Sequence, residues 1–371
     1  MEKSEYRIRA YDMIYLVKCA INGETPYKSK VDGMNLEALF EVCQKHILTA
    51  CVAYALESAG IQDHNFTQAK EKAIRKIVLH DAERKKVLQR LEKERIWYMP
   101  LKGVLLKEWY PKLGMRQMSD NDILCDGTKR ARIKEIMLDS GFTCEHYEQG
   151  NDDTYYKLPV INFEMHNELF HTAHIGKLHE YYADVKERLI KDEGNLYGYH
   201  FSDEDYYLFM LAHEYKHFSG TGTGVRSLVD TYVFLQKFND TLDWDYIKGE
   251  LNKLGISDFE RQNRELAMKF FEPDTLTEEE RNLLDYYIFS GTYGTLQQRF
   301  EHKIQRNADG NKSKYIFQRL FPSMDQINAY YPFFYRHKWL IPILWIYRPF
   351  KGLYTNRKKL LAEFRYLRKS K

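Results

Sequence analysis

Three acidic residues in the middle of the chain have the types and spacing of metal ligands. Asp120 and Asp122 stand two residues apart where an apolar run begins, and side chains at i and i+2 of a strand point to the same face. Glu164 lies on the polar face of a later alternating segment, residues 161–166. Carboxylate oxygens suit Mg²⁺ or Mn²⁺, and three carboxylates can hold two such ions for in-line phosphoryl displacement. The pattern therefore predicts a catalytic metal site.

The Asp-x-Asp motif is weak evidence by itself, because two acids at this spacing are common on exposed strands. Here Ile123, Leu124 and Cys125 follow at once and indicate a buried strand, so that the acids lie at its rim. Two like charges so close repel each other unless a cation lies between them. The repulsion predicts that Asp122→Asn slightly raises the stability of the metal-free protein.

Hydrophobic periodicity traces the elements that must position these acids. Residues 1–95 show helical spacing and include a long amphipathic helix over about residues 66–94. A short apolar strand follows, then a strand that contains the Asp-x-Asp motif, then a helix that Gly141 ends. One or two more strands are predicted within residues 155–170. Helices return after the N-cap Ser202 and continue to the end of the chain.

This order of elements predicts an α+β fold, with a small mixed α/β core between two helical segments. We place the N-terminal helical region at residues 1–95 and the α/β core at residues 96–200. The C-terminal helical region, with its basic tail, then takes residues 201–371.

Four stretches of the chain, from about residue 97 to residue 350, resemble a nucleotidyltransferase family of the DNA polymerase beta superfamily. The second stretch, residues 161–169, is similar to the family's acid-x-His strand, and the third, residues 213–235, to its His-rich helix, Gly-rich turn and Arg-x-x-x-Asp helix. Residues 330–350 give a weaker fourth match. The first stretch is the specific one, and its matching residues are Leu101, Lys102, Gly103, Tyr110, Pro111, Arg116, Ser119, Asp120, Asp122, Ile123 and Leu124.

The resemblance implies transfer of an NMP from an NTP to a hydroxyl group of a small molecule or protein, with release of pyrophosphate. Asp120, Asp122 and Glu164 would be the catalytic and metal-binding residues, and Mg²⁺ or Mn²⁺ the cofactor. The wider superfamily's Gly-Ser is absent, and a Lys-Gly pair stands further from the first acid. The resemblance assigns nucleotide and phosphate binding to Lys102, Gly103, Arg116, Ser119 and His166.

A competing motif, His213-Glu214-x-x-His217, matches the zinc-peptidase pattern on a predicted helix. Lys216 places a cation inside the motif, close to where Zn²⁺ would lie. No third ligand is obvious, and Asp230 is the best candidate. A zinc peptidase remains an alternative, as does a binding module that keeps the nucleotidyltransferase fold without catalysis. Asp230 is also four residues from Arg226, and this spacing predicts a local ion pair.

The net charge of +3 is unevenly distributed. Residues 348–371 contain nine Lys or Arg and one Glu, a net +8, so the preceding residues carry −5. Such a tail suggests peripheral contact with an anionic membrane or nucleic acid. The apolar run at residues 339–347 is too short to span a bilayer, and we expect it to pack mainly against the protein's own helices. Charges interrupt the N-terminal apolar stretches, and the five scattered cysteines favour free thiols, which together predict a cytoplasmic protein.

Overall fold

The computed structural model describes residues 1–148, 150–171, 176–292, 311–322, 324, 327 and 331–355. The chain divides into two compact units. The first comprises Met1–Lys216 and Gly224–Thr292, and the second comprises His217–Thr223 and Tyr293–Lys371.

Five helices precede the first strand. The longest, α5, begins after Asp63, whose side chain accepts a hydrogen bond from the backbone N–H of Phe66 and so caps the helix. Its buried side chains recur at helical spacing from Phe66 to Leu91, as the amphipathic pattern predicts. The bounds of these helices are α1 Lys3–Asn22, α2 Lys28–Val31, α3 Leu36–His46, α4 Thr49–Ser58 and α5 His64–Lys93.

A five-stranded mixed sheet follows, in the order β1-β2-β5-β4-β3. β2 and β5 are parallel, and the other neighbouring pairs are antiparallel. The strands are β1 Tyr98–Pro100, β2 Asn121–Cys125, β3 Thr143–His146, β4 Asp152–Lys157 and β5 Ile161–His166. Between them lie two helices, α6 Gly103–Leu106 and α7 Arg130–Asp139.

One face of the sheet forms the hydrophobic core with α5 and α7. The inward residues of β5 are Ile161, Phe163 and Met165, which alternate as predicted with the polar residues of that strand. The core also contains side chains from both helices, among them Val87, Leu91, Ile133, Ile136 and Met137. Because this face is filled largely with apolar side chains, the acidic residues Asp122 and Glu164 lie on the opposite face.

The remainder of the first unit is mainly helical. Ser202 accepts a hydrogen bond from the backbone N–H of Asp205, which is the predicted N-cap of α9. The elements are α8 Gly176–Tyr181, β6 Ile190–Lys191, β7 Tyr199–His200, α9 Asp203–Phe218, α10 Val225–Phe238, α11 Trp244–Leu254, α12 Ser257–Lys269 and α13 Glu278–Ser290. A mixed sheet flanked by helices confirms the predicted α+β fold class.

After Thr292, the described part of the second unit contains α14 Lys312–Leu320, α15 Pro332–Arg336 and α16 Ile341–Thr355. Leu344 is buried, but Trp339, Ile343 and Ile346 are 77%, 55% and 66% exposed. The expectation that residues 339–347 pack mainly against the protein's own helices was therefore wrong. Over residues 341–348 of α16, Leu344 is the buried residue and most of the others are exposed. None of the described helices is long and apolar enough to cross a membrane.

Candidate active site

The site is built on the parallel pair of strands β2 and β5. Asp122 of β2 is the direct neighbour of Glu164 of β5, and Leu124 is the neighbour of His166. Residues in register on neighbouring strands point to the same face, so the carboxylates of Asp122 and Glu164 lie side by side, away from the core. His166 lies two residues further along β5 on the same face.

Asp122 is buried and accepts two hydrogen bonds on the same oxygen. The Nζ of Lys102 lies 2.7 Å from its Oδ1, and the Nε2 of His166 lies 3.0 Å from it. Burial alone would raise the pKa of Asp122, but the charge of Lys102 and the hydrogen bonds from His166 and Lys102 outweigh burial and hold it well below its usual range. Asp122 is therefore the firmly ionised carboxylate of the site.

Asp120 lies just before β2, whose first residue is Asn121. The prediction that Asp120 is itself a strand residue was wrong. Burial and the negative charge of Asp122 raise the pKa of Asp120 to about 7. Asn121, the first strand residue, points to the core side, where its Oδ1 accepts a hydrogen bond from Arg84 of α5 at 3.0 Å.

Glu164 is the more exposed partner of Asp122, with 29% of its side chain accessible against 7% for Asp122. Burial and the charges of Asp122 and Asp120 raise its pKa to about 8. A site in which two carboxyl groups resist ionisation beside a third that is ionised has a strongly negative potential. Such a potential attracts cations.

The residues present fit a divalent metal ion. Within the described ranges, the group of acids, histidines and cysteines that could hold an ion is Asp122, Glu164 and His166, whose ligand atoms lie within 4.8 Å of one another. Asp120 lies outside this group, although its charge acts on Glu164. The two carboxylates suit Mg²⁺ or Mn²⁺, whereas both ring nitrogens of His166 are already engaged by Asp122 and Asn151.

His166 is buried rather than open to a nucleotide. The amide nitrogen of Asn151 lies 3.3 Å from Nδ1 of His166 and also donates to the carbonyl of Glu168. An amide N–H is a donor, so Nδ1 accepts and the proton of the neutral ring lies on Nε2, facing Asp122. In this tautomer His166 is a donor that orients Asp122, which differs from the nucleotide contact implied by the resemblance.

Lys102 is fixed by its backbone as well as by its ion pair. Its φ of 49° is unusual for a residue other than glycine, and its carbonyl accepts a hydrogen bond from the Tyr206 hydroxyl of α9 at 2.9 Å. The preceding N–H, from Leu101, donates to the carbonyl of Asp122. Burial alone would lower the pKa of Lys102, but the charge of Asp122 raises it. The side chain is thus a charged ammonium held against the metal-binding acids.

Arg116 and Gly103 form a structural contact beside the site. The guanidinium of Arg116 is buried and binds Asp230 of α10 with Nε at 2.8 Å and Nη2 at 3.0 Å. The Tyr110 hydroxyl donates to the same carboxylate at 2.7 Å. A Cβ on Gly103 would lie 3.0 Å from Nη1 of Arg116, so glycine is the residue that fits there. The predicted ion pair between Asp230 and Arg226 was therefore wrong.

Ser119 lies between the Arg116 contact and the first acid. Its carbonyl oxygen accepts a hydrogen bond from the Nζ of Lys76, on α5, at 2.7 Å. Burial lowers the pKa of Lys76, and the neighbouring charge of Asp120 opposes this effect. The long N-terminal helix thus fixes the backbone just ahead of Asp120 and adds a positive charge there.

The His-Glu-x-x-His motif lies on α9, but its glutamate is used in packing. Glu214 is buried, and it accepts hydrogen bonds from Asn263 at 2.8 Å and from the Tyr287 hydroxyl at 3.0 Å. Burial raises its pKa to about 7. Asp230, the candidate third ligand, is held by Arg116 and Tyr110. Among the residues that the structure describes, no metal-binding cluster includes this motif.

Lys216 is a site residue that sequence reasoning treated only as an obstacle to zinc. It lies on α9, and the charges that act on it include those of Lys102, Asp122 and Glu164. Burial and the charge of Lys102 lower its pKa to about 8. Hydrophobic periodicity places this lysine on a helix. It does not reveal that Asp122 and Glu164, which are far away in the sequence, act on its charge.

Comparison with known proteins agrees with this geometry. The sequence model of one family, described as an uncharacterised nucleotidyltransferase, matches residues 32–272. The chain belongs to this nucleotidyltransferase family. The match extends from just after α2 to just after α12, and it includes Lys102, Arg116, Asp120, Asp122, Glu164, His166 and Lys216. No curated protein and no solved structure matches the chain.

Membership confirms the resemblance drawn from the Asp-x-Asp, acid-x-His and Arg-x-x-x-Asp stretches. The nucleotidyltransferase has the first acid of its Asp-x-Asp motif just before β2, the second on β2, and its third acid on the parallel neighbour β5. The third stretch contributes Asp230, which binds Arg116 of the first stretch across 114 residues of sequence. The three stretches thus meet around a single side of the sheet.

Proposed function

We propose that the protein transfers an NMP from an NTP to a hydroxyl acceptor on a small molecule or a protein side chain. The observation that carries the proposal is the register of β2 and β5, which places Asp122 beside Glu164 with Asp120 one residue ahead of the strand. Family membership supports the reaction class. Divalent metal ions, Mg²⁺ or Mn²⁺, would neutralise the phosphate charge and polarise the acceptor oxygen.

In this proposal the three acids have different roles. Asp120 and Asp122 would hold the nucleotide-bound ion, and His166 orients Asp122 through its Nε2–H. Glu164 is the accessible carboxylate, and it takes the proton of the acceptor hydroxyl. The acceptor oxygen forms a bond to the α-phosphorus, the bond from that phosphorus to the bridging oxygen breaks, and pyrophosphate leaves. Lys102 and Ser119 line the approach to the phosphates.

The alternatives are weakened by the contacts on α9 and α10. A zinc peptidase needs a glutamate that can reach water beside the metal. Glu214 instead lies among Asn263 and Tyr287. A binding module that has the same fold without catalysis is the second alternative. A measurement of turnover distinguishes it from an enzyme.

Turnover is tested by incubating the protein with each α-³²P-labelled NTP, with Mg²⁺ or Mn²⁺, and with an extract that supplies acceptors. Label should move to a protein or small molecule and pyrophosphate should accumulate. Asp122→Asn should abolish both. Asp126→Asn is the matched control, since Asp126 follows the same strand and only caps the next turn through Thr128. No transfer by wild type with any NTP, or equal transfer by Asp122→Asn, would contradict the proposal.

We further propose that the C-terminal segment contacts an anionic membrane surface. The exposed apolar side chains of Trp339, Ile343 and Ile346 precede a segment of net charge +8. Apolar side chains that enter the headgroup region, together with basic residues, are the pattern of peripheral membrane binding. Nucleic acid would be favoured by the charge but not by the exposed aliphatic residues.

A further inference from the structure

Lys216 lies on α9, the helix whose Tyr206 hydroxyl donates a hydrogen bond to the carbonyl of Lys102. It lies near the C-terminal end of α9, and its Nζ is 5.9 Å from the ring centroid of Phe170. Phe170 follows β5 by four residues, so its ring lies beyond the end of the strand that carries Glu164 and His166. The charged groups that act on the ammonium include Asp122 and Glu164 as well as Asp152 of β4. Lys216 thus brings a positive charge from α9 near the acids of β2, β5 and β4.

The other lysines of the site each have an acceptor, and Lys216 differs from them. Lys102 binds Asp122, and Lys76 binds the carbonyl of Ser119. Within the described part of the chain, no carboxylate lies at ion-pair distance from Lys216 and no hydrogen-bond acceptor contacts it. Lys216 is partly buried, so an acceptor at its ammonium would replace the hydration that burial removes.

The charges around Lys216 indicate what would satisfy it. The acids are near enough to act on it but do not contact it, while Lys102 repels it. Two ammonium groups on one side of a metal-binding cluster are brought together favourably only by an anion of several charges. The phosphate chain of an NTP is such an anion, and lysine is a common phosphate ligand.

We propose that Lys216 binds the phosphate chain of the incoming nucleotide, beside the carboxylates that would hold the metal. The inference rests on the proposed nucleotidyl transfer and adds to it a residue outside the strands. It also gives a reason for the lysine inside the His-Glu-x-x-His motif: the position faces the phosphate site, whereas Glu214 faces the helical core.

The test uses inorganic tripolyphosphate with Mg²⁺ as the probe, because it needs neither the correct base nor the acceptor. Calorimetry on the full chain should show that Lys216→Met weakens binding about 10- to 100-fold, the usual effect of losing a charged hydrogen-bond donor. Methionine keeps the length and the packing of the side chain and removes the charge. Lys216→Arg should restore much of the affinity.

Lys237→Met is the matched control. Lys237 is also a helical lysine near aromatic rings, 5.9 Å from Trp109 and 5.4 Å from Phe238. Its replacement should leave the affinity for tripolyphosphate unchanged. Titration with Mn²⁺ alone should give the same affinity for wild type and Lys216→Met, because the proposed contact is to phosphate and not to metal.

The outcomes separate this inference from the proposed function. If wild type binds Mg²⁺ with tripolyphosphate and Lys216→Met binds equally well with an unchanged melting temperature, Lys216 is a packing residue and the inference is wrong. If wild type does not bind tripolyphosphate at all, the nucleotidyl-transfer proposal fails and the inference fails with it. If Lys216→Met melts at a lower temperature, protection of Lys216 from pyridoxal-phosphate labelling by Mg²⁺ and tripolyphosphate in wild type decides the question: protection supports the contact and its absence contradicts it.

Discussion

At the level of single residues, the two hydrogen-bond partners of Asp122 have different effects on it. Lys102 supplies its counter-charge, and His166 fixes its orientation through Nε2. Under the proposed function, a metal ion at Asp122 would share the carboxylate with an ammonium already at 2.7 Å. That ammonium would become available to a phosphate once the cation replaced it as the counter-charge. The ion pair would then couple metal binding to nucleotide binding at one carboxylate.

This arrangement reverses the stability expected for Asp122→Asn. Repulsion between Asp120 and Asp122 by itself predicts a small gain, but the substitution also leaves Lys102 without its partner. Removing one member of a largely buried pair commonly costs about 3 kcal/mol, and the partial exposure of Lys102 reduces that to about 2 kcal/mol. We expect the variant to melt below wild type in the absence of metal.

Ligand-induced melting shifts then distinguish the acids. Mg²⁺ with NTP should raise the melting temperature of wild type, because a ligand that binds only the native state stabilises it. Asp122→Asn should lose the shift. Glu164→Gln should keep most of it while losing transfer, since in our proposal Glu164 serves the acceptor. Equal shifts in wild type and Asp122→Asn would show that the Asp-x-Asp motif does not bind the metal.

Glu214 gives a pH dependence of stability that is independent of the metal site. Its pKa rises from 4.5 to about 7 because it is buried, and the groups that face it are Asn263, Tyr287 and Ser227, with the charge of Asp230 nearby. A raised acid pKa means that the native state holds its proton more tightly than the unfolded chain does. Its contribution to stability is therefore complete below pH 4.5 and is lost as the pH rises through about 7.

Glu214→Gln should remove this loss, since glutamine keeps the hydrogen-bonding shape without ionising. Between pH 5 and pH 8, the free energy of unfolding of the variant should rise relative to that of wild type by up to about 3 kcal/mol, an amount set by the size of the pKa shift. Unfolding by urea at both pH values measures the difference. Glu250→Gln is the comparison, because the pKa of Glu250 is lowered rather than raised. A Glu214→Gln effect that is the same at both pH values would contradict a buried, protonated Glu214.

At the level of elements, the contact of Arg116 with Asp230 joins the segment before β2 to α10. We expect Arg116→Lys and Asp230→Asn each to lower stability, since lysine does not reproduce the two parallel hydrogen bonds. The double variant should be destabilised by less than the sum, with a coupling energy of about 2 kcal/mol. Arg261→Lys is the control, because Arg261 is exposed and lies 3.7 Å from its partner Glu265. Additive effects of Arg116→Lys and Asp230→Asn would contradict the structural role of this pair.

An element could be predicted from the sequence when the interactions that form it join residues close together in the sequence. The long helix α5 and the alternation in β5 depend on neighbours within a few residues, and both lie close to their predicted bounds. The parallel pairing of β2 with β5 joins residues some 40 positions apart. The alternation of polar and apolar residues within each strand does not show which residues of the two strands are neighbours. Asp230 follows the same rule: a local i, i+4 partner was available, but a buried Arg116 provides a better one.

At the level of the whole molecule, the second unit differs from the first in how its apolar residues are placed. A helix that is apolar on most sides is normally buried or at a membrane. On α16, Leu344 is buried, while Ile343 and Ile346 are exposed, as is Trp339 just before the helix. Arg336 and Lys338 are exposed beside them. An anionic lipid surface would remove the aliphatic side chains from water and also attract the basic tail.

Vesicle sedimentation with the full chain tests this contact. Binding to vesicles of phosphatidylcholine with phosphatidylserine should exceed binding to phosphatidylcholine alone, and should weaken as salt is added, since each basic residue near an anionic surface contributes about 1 kcal/mol. Deletion of residues 348–371 should abolish the dependence on phosphatidylserine. Ile343→Ser with Ile346→Ser should weaken binding to both vesicles, because apolar burial does not depend on lipid charge. Leu113→Ser, which alters an exposed leucine of the first unit, is the control. Equal binding to both vesicle types, or tighter binding of the tail to duplex DNA or RNA at the same salt, would contradict the membrane contact, because a surface selected only by charge has no use for the exposed isoleucines.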